Sequence, residues 1–346
     1  MRVFHSQAIK DEAQVGAARR AVHRYASVLG FGEGPLAELD IVVQEMATNA
    51  ARYATGGGCL HWAEALGPDP GLELFYADQG PGILDLDRAL ADGVSSGGSL
   101  GTGFGAMRRL LDEFDAHSSV RGTTRRLSNP RRTTHGTAIL GRKWVGPEGG
   151  PRGRELSRRL GVWSRPRPGD EANGDAYLLR EHDGETLLAV VDGLGHGRGA
   201  REAAAAALDA LAHWEGEPLG EIVEGVHDAL RATRGAVMGA VVVNPAREAF
   251  SYCGVGNVEV RVFNSPAPAR PIPSNGTLGA RLAQVRVWPH RWAAGTTVVM
   301  ATDGLSATWD LAAYPGLLAR SPQLLAGVLL RDYVRNSDDA TVLVYR

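Results

Sequence analysis

Four acidic corners stand out in this chain, three of them hinged to the end of a β-rich run. The first is Asp192. An apolar run from Thr186 ends there, and Gly193-Leu194-Gly195-His196-Gly197 follows before a helical pattern opens near Gly199. Such a turn sets one carboxylate and the exposed carbonyl of Gly193 at the end of a rigid strand. Asn173-Gly174-Asp175 lies just upstream, Thr297 to Ala301 runs into Thr302-Asp303-Gly304, and Asp338-Asp339-Ala340-Thr341 leads into Val342-Leu343-Val344. Carboxylate and carbonyl oxygens are what hard divalent cations take. A phosphomonoester dianion repels nucleophiles, and two cations about 3.5–4 Å apart answer that by holding the phosphate and activating a water. Carboxylates crowded without cations would raise one another's pKa. A single glycine turn is ambiguous, since tight strand-to-helix turns are common; the ordered set of four is not. His196 invites a role as an acid, but a histidine inside a glycine turn more often serves the turn.

A second group of chemically capable residues lies in the first half. From Pro35 to Tyr53 the apolar positions Leu39, Val42, Met46, Ala50 and Tyr53 recur at helical spacing, beside a stripe of Glu38, Glu45, Asn49 and Arg52. Leu72 to Ala77 reads as a strand that ends at Asp78-Gln79-Gly80-Pro81-Gly82. Gly101-Thr102-Gly103-Phe104-Gly105 opens a helix at Ala106. Glycines at a helix start make a phosphate site from backbone N–H groups and the helix dipole. Neither the Rossmann fingerprint nor a Walker lysine is present.

The elements that must position these residues follow from pattern. Residues 11–29 form a helix closed by Gly30, and Ser321-Pro322 starts the last helix. Runs at 177–181, 186–192, 236–244 and 248–263 read as strands, and the proline-rich 265–275 stretch as an exposed loop. Ala203 to Ala207 suits close packing of a helix on a sheet. Val145 to Arg154 is rich in glycine and proline, which places a domain boundary there. The 346 residues suffice for two domains, and 44% hydrophobic content suits real cores. A net charge of −2 gives no general case for nucleic acid or an anionic membrane. No apolar run reaches a membrane span, and the first residues lack the apolar core of a signal peptide. Two distant cysteines argue against disulfides and zinc, so a cytoplasmic protein is expected.

The ordered set Asp175, Asp192-Gly193, Asp303 and Asp338 resembles the type 2C family of metal-dependent serine/threonine protein phosphatases, and within it the small bacterial enzymes of sporulation and stress signalling (SpoIIE/RsbX-like). The resemblance implies two Mn²⁺ or Mg²⁺ ions held by Asp192, Asp303, Asp338 and the Gly193 carbonyl, with Asp175 as a further carboxylate. Asp338 is preferred to Asp339 because Asp-x-x-Thr before the last strand is the family's spacing. The order Glu45-x-x-x-Asn49, Asp78-x-Gly80-x-Gly82, Gly101-x-Gly103-x-Gly105 resembles the GHKL ATPases, and within them the anti-sigma and switch-protein serine kinases (RsbW/RsbT-like). Carried over, Asn49 holds Mg²⁺ on ATP, and Asp78 accepts from the adenine amino group. Gly80 and Gly82 let the base approach, while Gly101, Gly103 and Gly105 form a phosphate lid. Glu45 matches the general base toward a protein serine. The Gly-Thr corner that closes such a site is open between Gly122-Thr123 and Gly136-Thr137.

The fold expected is α+β in two domains, a GHKL (Bergerat) α/β sandwich over 1–145 followed by a type 2C αββα sandwich over 169–346. Residues 146–168 serve as linker and first strand. The function expected is a switch regulator that dephosphorylates a phosphorylated STAS-domain anti-anti-sigma-like protein and phosphorylates such a partner through its ATP-binding domain. The alternative keeps the phosphatase and makes residues 1–145 an ATP sensor or partner-binding module without kinase activity. Other partner-switching proteins are further expected partners, and kinases of this type often pair, which leaves a homodimer open.

Overall fold

The computed structural model describes residues 2, 4–90, 103–120, 134–146, 150–282 and 284–346. These form two compact units. One takes residues 2–159 together with Thr308–Asp332, and the other takes Leu160–Ala307 with Tyr333–Arg346. The chain therefore does not divide at a single linear boundary. The segment between Asp303 and Asp338 makes an excursion into the first unit.

In the first unit, β1 (His5–Ile9), β2 (Gly58–Glu64), β3 (Gly71–Asp78), β4 (Glu113–Ser119) and β5 (Gly136–Trp144) make one antiparallel sheet in the order β1-β2-β3-β5-β4. Helices α1 (Glu12–Val28) and α2 (Glu33–Tyr53) cover one face. The period-two alternation of β3 decides which face: Leu72, Leu74 and Tyr76 enter the core with Leu39, Val42, Met46 and Ala50 of α2. Tyr53, at the end of the expected stripe, is instead exposed, because α2 terminates there. Asp11 caps α1 by accepting from the Gln14 amide (3.2 Å). On the other face of β3, Glu73 stands opposite Arg142 and pairs with it at 2.7 Å. Among the described residues, the N-terminal stretch also holds the shorter helices α3 (Leu86–Leu90), α4 (Gly103–Leu110) and α5 (Pro151–Arg159), the last inside the stretch expected as linker.

The second unit is a two-sheet sandwich. Its first strands are β6 (Leu160–Arg165), β7 (Asp175–His182), β8 (Glu185–Gly193) and β9 (Ala236–Asn244). Between β8 and β9 lie α6 (Arg198–Leu211) and α7 (Leu219–Ala229). Then come β10 (Ala249–Val255), β11 (Glu259–Phe263), the short hairpin β12 (Gly276–Thr277) and β13 (Arg281–Leu282), β14 (Trp288–Arg291), β15 (Thr297–Ala301) and β16 (Ala340–Tyr345). One sheet runs β14-β10-β9-β8-β7 and the other β11-β15-β16-β6. The run expected as one strand over 248–263 is two, and they lie in different sheets. Ala203, Ala204 and Ala207 pack α6 onto the first sheet beside Leu187, Ala189 and Val191, as their small side chains allow.

The excursion ends in α8 (Pro322–Tyr333), whose Leu324, Leu325, Val328 and Leu329 are fully buried. Within the first unit, the Ser321 amide donates to Asp115 of β4 (2.7 Å), Arg320 pairs with the same carboxylate (3.5 Å), and Tyr314 packs near His117.

Candidate functional site

In the sandwich, β7 and β8 pair so that Asp175 stands directly opposite Asp192. Both carboxylates reach the same end of the sheet because β7 begins at Asp175 and the antiparallel β8 ends just past Asp192, at Gly193. Gly193 is fixed by close approach: a Cβ at that position would meet the Ala200 carbonyl of α6. Its amide donates to the Gly174 carbonyl (3.0 Å) and the next amide, of Leu194, to that of Gly235 (3.0 Å), so the turn is held from both sides. From the other sheet, Thr302 at the end of β15 donates its hydroxyl to Asp175 (2.7 Å) and accepts from the Thr341 amide (2.9 Å). That bond ties the two sheets together at the acidic cluster. Asp303 accepts from Asn257 (2.9 Å), in the turn between β10 and β11.

Asp339 accepts from the amides of Gly174 (2.9 Å) and Arg167 (2.8 Å) and is buried, whereas Asp338 is half-exposed and accepts from the Asp339 amide (3.0 Å). The two neighbours thus differ in use: one carboxylate is spent on backbone, the other is left toward the cluster. Burial, with the charges of Asp303, Asp338 and Asp339, pushes Asp192 up to about 7. Burial and Asp192 together hold Asp175 well above the usual carboxylate range. Carboxylates crowded to this degree suit cations, which remove the repulsion. Among the described residues no three acidic, histidine or cysteine side chains close on a single point at ligating distance. The cluster therefore acts through space, and oxygen ligands beyond these side chains are needed to complete a metal shell. His196 pairs with Asp170 (2.9 Å) at the surface, in keeping with a role in the turn.

In the first unit, the Asp78 carboxylate sits at the end of β3, on the α2 face. It accepts from the Tyr76 hydroxyl (2.6 Å) and from the amides of Gly80 (2.7 Å) and Thr137 (3.2 Å). Gly136-Thr137 is thus a corner against Asp78, and a Cβ on Gly136 would strike the Asp78 carbonyl. Gly122-Thr123 and Gly101 lie outside the described residues. Gly82 turns with φ +77° beside Ser119, and His135 bonds the Gly80 carbonyl (2.6 Å). Glu45 and Asn49 lie one turn apart on α2, both half-buried. Gly103 and Gly105 fall in the first turn of α4, and a Cβ on Gly103 would stand 2.6 Å from the Glu45 carboxylate. Close packing therefore brings the start of α4 to Glu45. Two charged members of the same helical stripe serve the fold: Glu38 pairs with Lys143 (2.6 Å) and Arg52 with Glu12 (3.5 Å).

Sequence reasoning missed Thr302, Thr341 and Asn257, the polar residues that orient the acidic ones. Only their adjacency to the motifs signalled Thr302 and Thr341. Nothing local marked Asn257, which the chain brings to Asp303 from the turn between β10 and β11.

The comparisons with known proteins match the two halves of the chain to two different families. The pattern of the family described as Histidine kinase-like ATPase domain matches residues 9–128, and that of Stage II sporulation protein E (SpoIIE) matches residues 182–346. The phosphoserine phosphatase RsbX of Bacillus subtilis (strain 168) is 30% identical over 147 residues, which cover 42% of this chain and 73% of the relative. The serine/threonine-protein kinase RsbT of the same organism is 36% identical over 110 residues, 32% of this chain and 83% of the relative. A solved structure described as "The bacterial stressosome: a modular system that has been adapted to control secondary messenger signaling" is similar at 30% identity, with a TM-score of 0.51, over 54% of this chain and 98% of that one. No helix among the described residues is long and apolar enough to cross a membrane. With acidic strand ends in one unit and an Asp78 corner in the other, the chain belongs to the SpoIIE-type branch of the type 2C metal-dependent protein phosphatases through its C-terminal half and to the histidine kinase-like ATPases, beside the RsbT-type kinases, through its N-terminal half.

Proposed function

We propose that this protein sets the phosphorylation state of a small STAS-domain, anti-anti-sigma-like partner, removing phosphate from its serine or threonine with one unit and adding it with the other. The observation that carries the phosphatase half is the facing pair Asp175 and Asp192, with Asp192 pushed up to about 7 by burial and the surrounding carboxylates. Asp192, Asp303, Asp338 and the Gly193 carbonyl would hold two Mn²⁺ or Mg²⁺ ions, with Asp175 behind them. Such ions supply charge neutralisation at the phosphate and a water acidic enough to attack it. Asp175 and Thr302 orient the cluster, and Asp339 anchors the Gly174 backbone so that β7 delivers Asp175 to Asp192.

In the ATP-binding unit, Asn49 would hold Mg²⁺ on the nucleotide, Asp78 would take the adenine amino group, and Gly80 and Gly82 would admit the base. Gly101, Gly103 and Gly105 would contact the phosphates. Glu45 would remove the proton of the partner's serine hydroxyl as its oxygen attacks the γ-phosphorus and ADP leaves. The proximity of Gly103 to the Glu45 carboxylate supports this reading, since the lid glycines and the base must share one site.

A second reading keeps nucleotide binding but makes it a sensor without transfer. It is favoured by one observation: Arg331, from the stretch between Asp303 and Asp338, bonds the Asp78 carbonyl (3.0 Å). Incubation with labelled ATP and a candidate STAS protein separates the two. Transfer by the wild type that falls by ~100-fold or more in Glu45→Ala, with ATP affinity within a few-fold of wild type, supports the kinase. Binding of ATP with no label on any STAS protein supports the sensor.

A further inference from the structure

The last turn of α8 carries a buried charge pair. Arg331 donates to Asp332 through Nε and Nη2, both at 2.7 Å, and their side chains are only 7% and 1% exposed. Neighbouring positions on a helix point about 100° apart and do not normally face each other. Here both side chains turn to one target, the end of β3. Arg331 Nη1 donates to the Asp78 carbonyl (3.0 Å), and Gln79 Nε2 donates to Asp332 (3.2 Å). The Tyr314 hydroxyl, at the other end of the excursion, donates to Asp332 as well (2.8 Å). A buried guanidinium is tolerated only with its partners in place, so this clasp is sensitive to where the Asp78–Gln79 backbone stands.

The same segment is pinned where it leaves and rejoins the sandwich. Leu305 bridges Val334, the Ser306 amide donates to the Tyr333 carbonyl (2.9 Å), and the Arg335 amide donates to the Gly304 carbonyl (2.8 Å). Gly304 follows Asp303 directly, and Tyr333 follows Asp332 directly. A displacement of the clasp therefore has a covalent and hydrogen-bonded route of a few residues to an aspartate of the phosphatase cluster.

We propose that Arg331 and Asp332 are positioning residues for the nucleotide site, and that occupancy of that site is passed through the 308–332 excursion to Asp303, so that ATP alters phosphatase turnover. The proposal rests on the assignment of Asp78 to adenine. A ligand held by the Asp78 carboxylate fixes the backbone whose carbonyl Arg331 holds, and the two requirements are then met together or not at all.

The test uses the full chain and a non-hydrolysable Mg·ATP analogue, so that phosphoryl transfer does not intervene. Calorimetry on wild type, Arg331→Ala and Arg331→Lys should show ~10-fold or greater loss of affinity in the alanine variant, as befits a charge-assisted bond, with partial recovery in the lysine one. The analogue should change wild-type turnover on a phosphorylated STAS protein, and that change should vanish in Arg331→Ala. Gln79→Ala, which removes only the outer bond to Asp332, should give an intermediate loss and serves if Arg331→Ala fails to fold. Hydrogen exchange on wild type needs no variant: the analogue should slow exchange at 304–306 and 333–335 as well as in 308–332. Affinities within twofold of wild type in all variants overturn the proposal, as does protection confined to residues 33–145. Absence of analogue binding to wild type overturns the nucleotide assignment itself, and the proposal with it.

Discussion

At the scale of single residues, Asp192 and Asp303 were legible because each follows a continuous apolar run that reads as a buried strand. Asp175 instead opens β7 and Asp338 lies two residues before β16, and the pairing of β7 with β8 sets Asp175 face to face with Asp192. The distinction between Asp338 and Asp339 was not readable from residue type. It rests on which carboxylate meets the Gly174 and Arg167 amides, a contact between distant parts of the chain. Asp192→Ala and Asp303→Ala are each expected to lower phosphatase turnover by more than ~100-fold, beyond what loss of an outer-shell partner costs. Chelator should abolish wild-type activity, and thermal unfolding should show both variants folded, since removing a crowded carboxylate relieves repulsion. Full turnover of either variant in chelator would contradict the metal assignment. In the other unit, Asn49→Ala should weaken Mg·ATP binding, and Asp78→Asn should narrow the preference for ATP over GTP, both read by calorimetry. Unchanged affinity and preference in both variants would mean that the nucleotide is held elsewhere.

At the scale of elements, helices and most strands followed from local pattern, and the departures have physical causes. The 248–263 run satisfies strand patterning throughout, yet its halves join different sheets, one pairing with β9 and the other with β15. Nothing in local hydrophobicity distinguishes a long strand from two that part at a turn. Similarly, Ser321-Pro322 marks the start of α8, but its company is decided by contacts far away in sequence. Those contacts bury His117 on β4, near Tyr314 and Arg320 of the excursion. Burial, then Arg331 and Arg320, push its imidazole down to about 4. A histidine depressed in the folded state lends its stability above the ordinary value near 6.5 and loses it as pH falls toward 4. Chemical denaturation of the metal-free protein between pH 7 and 4.5 should therefore show a stability loss that His117→Phe reduces by about 1–3 kcal/mol at the acid end. An identical pH dependence in the variant would place the titrating group elsewhere.

At the scale of the whole molecule, two activities that oppose each other on one target would only consume ATP unless a signal biases one of them. Joining them in one chain raises the effective concentration of each at a shared partner. The chain's path is consistent with more than tethering, since the stretch between Asp303 and Asp338 belongs to the compact unit that holds Asp78. That path was hidden from the sequence, where 308–332 reads as ordinary phosphatase polypeptide. Mass spectrometry of a STAS partner incubated with ATP and either wild type or Asp192→Ala examines both activities at once. The expected result is accumulation of singly phosphorylated partner with Asp192→Ala, and little net phosphate but steady ADP release with wild type. Phosphorylated partner absent in both reactions, or two different proteins serving as kinase and phosphatase substrates, would contradict opposed action on one target.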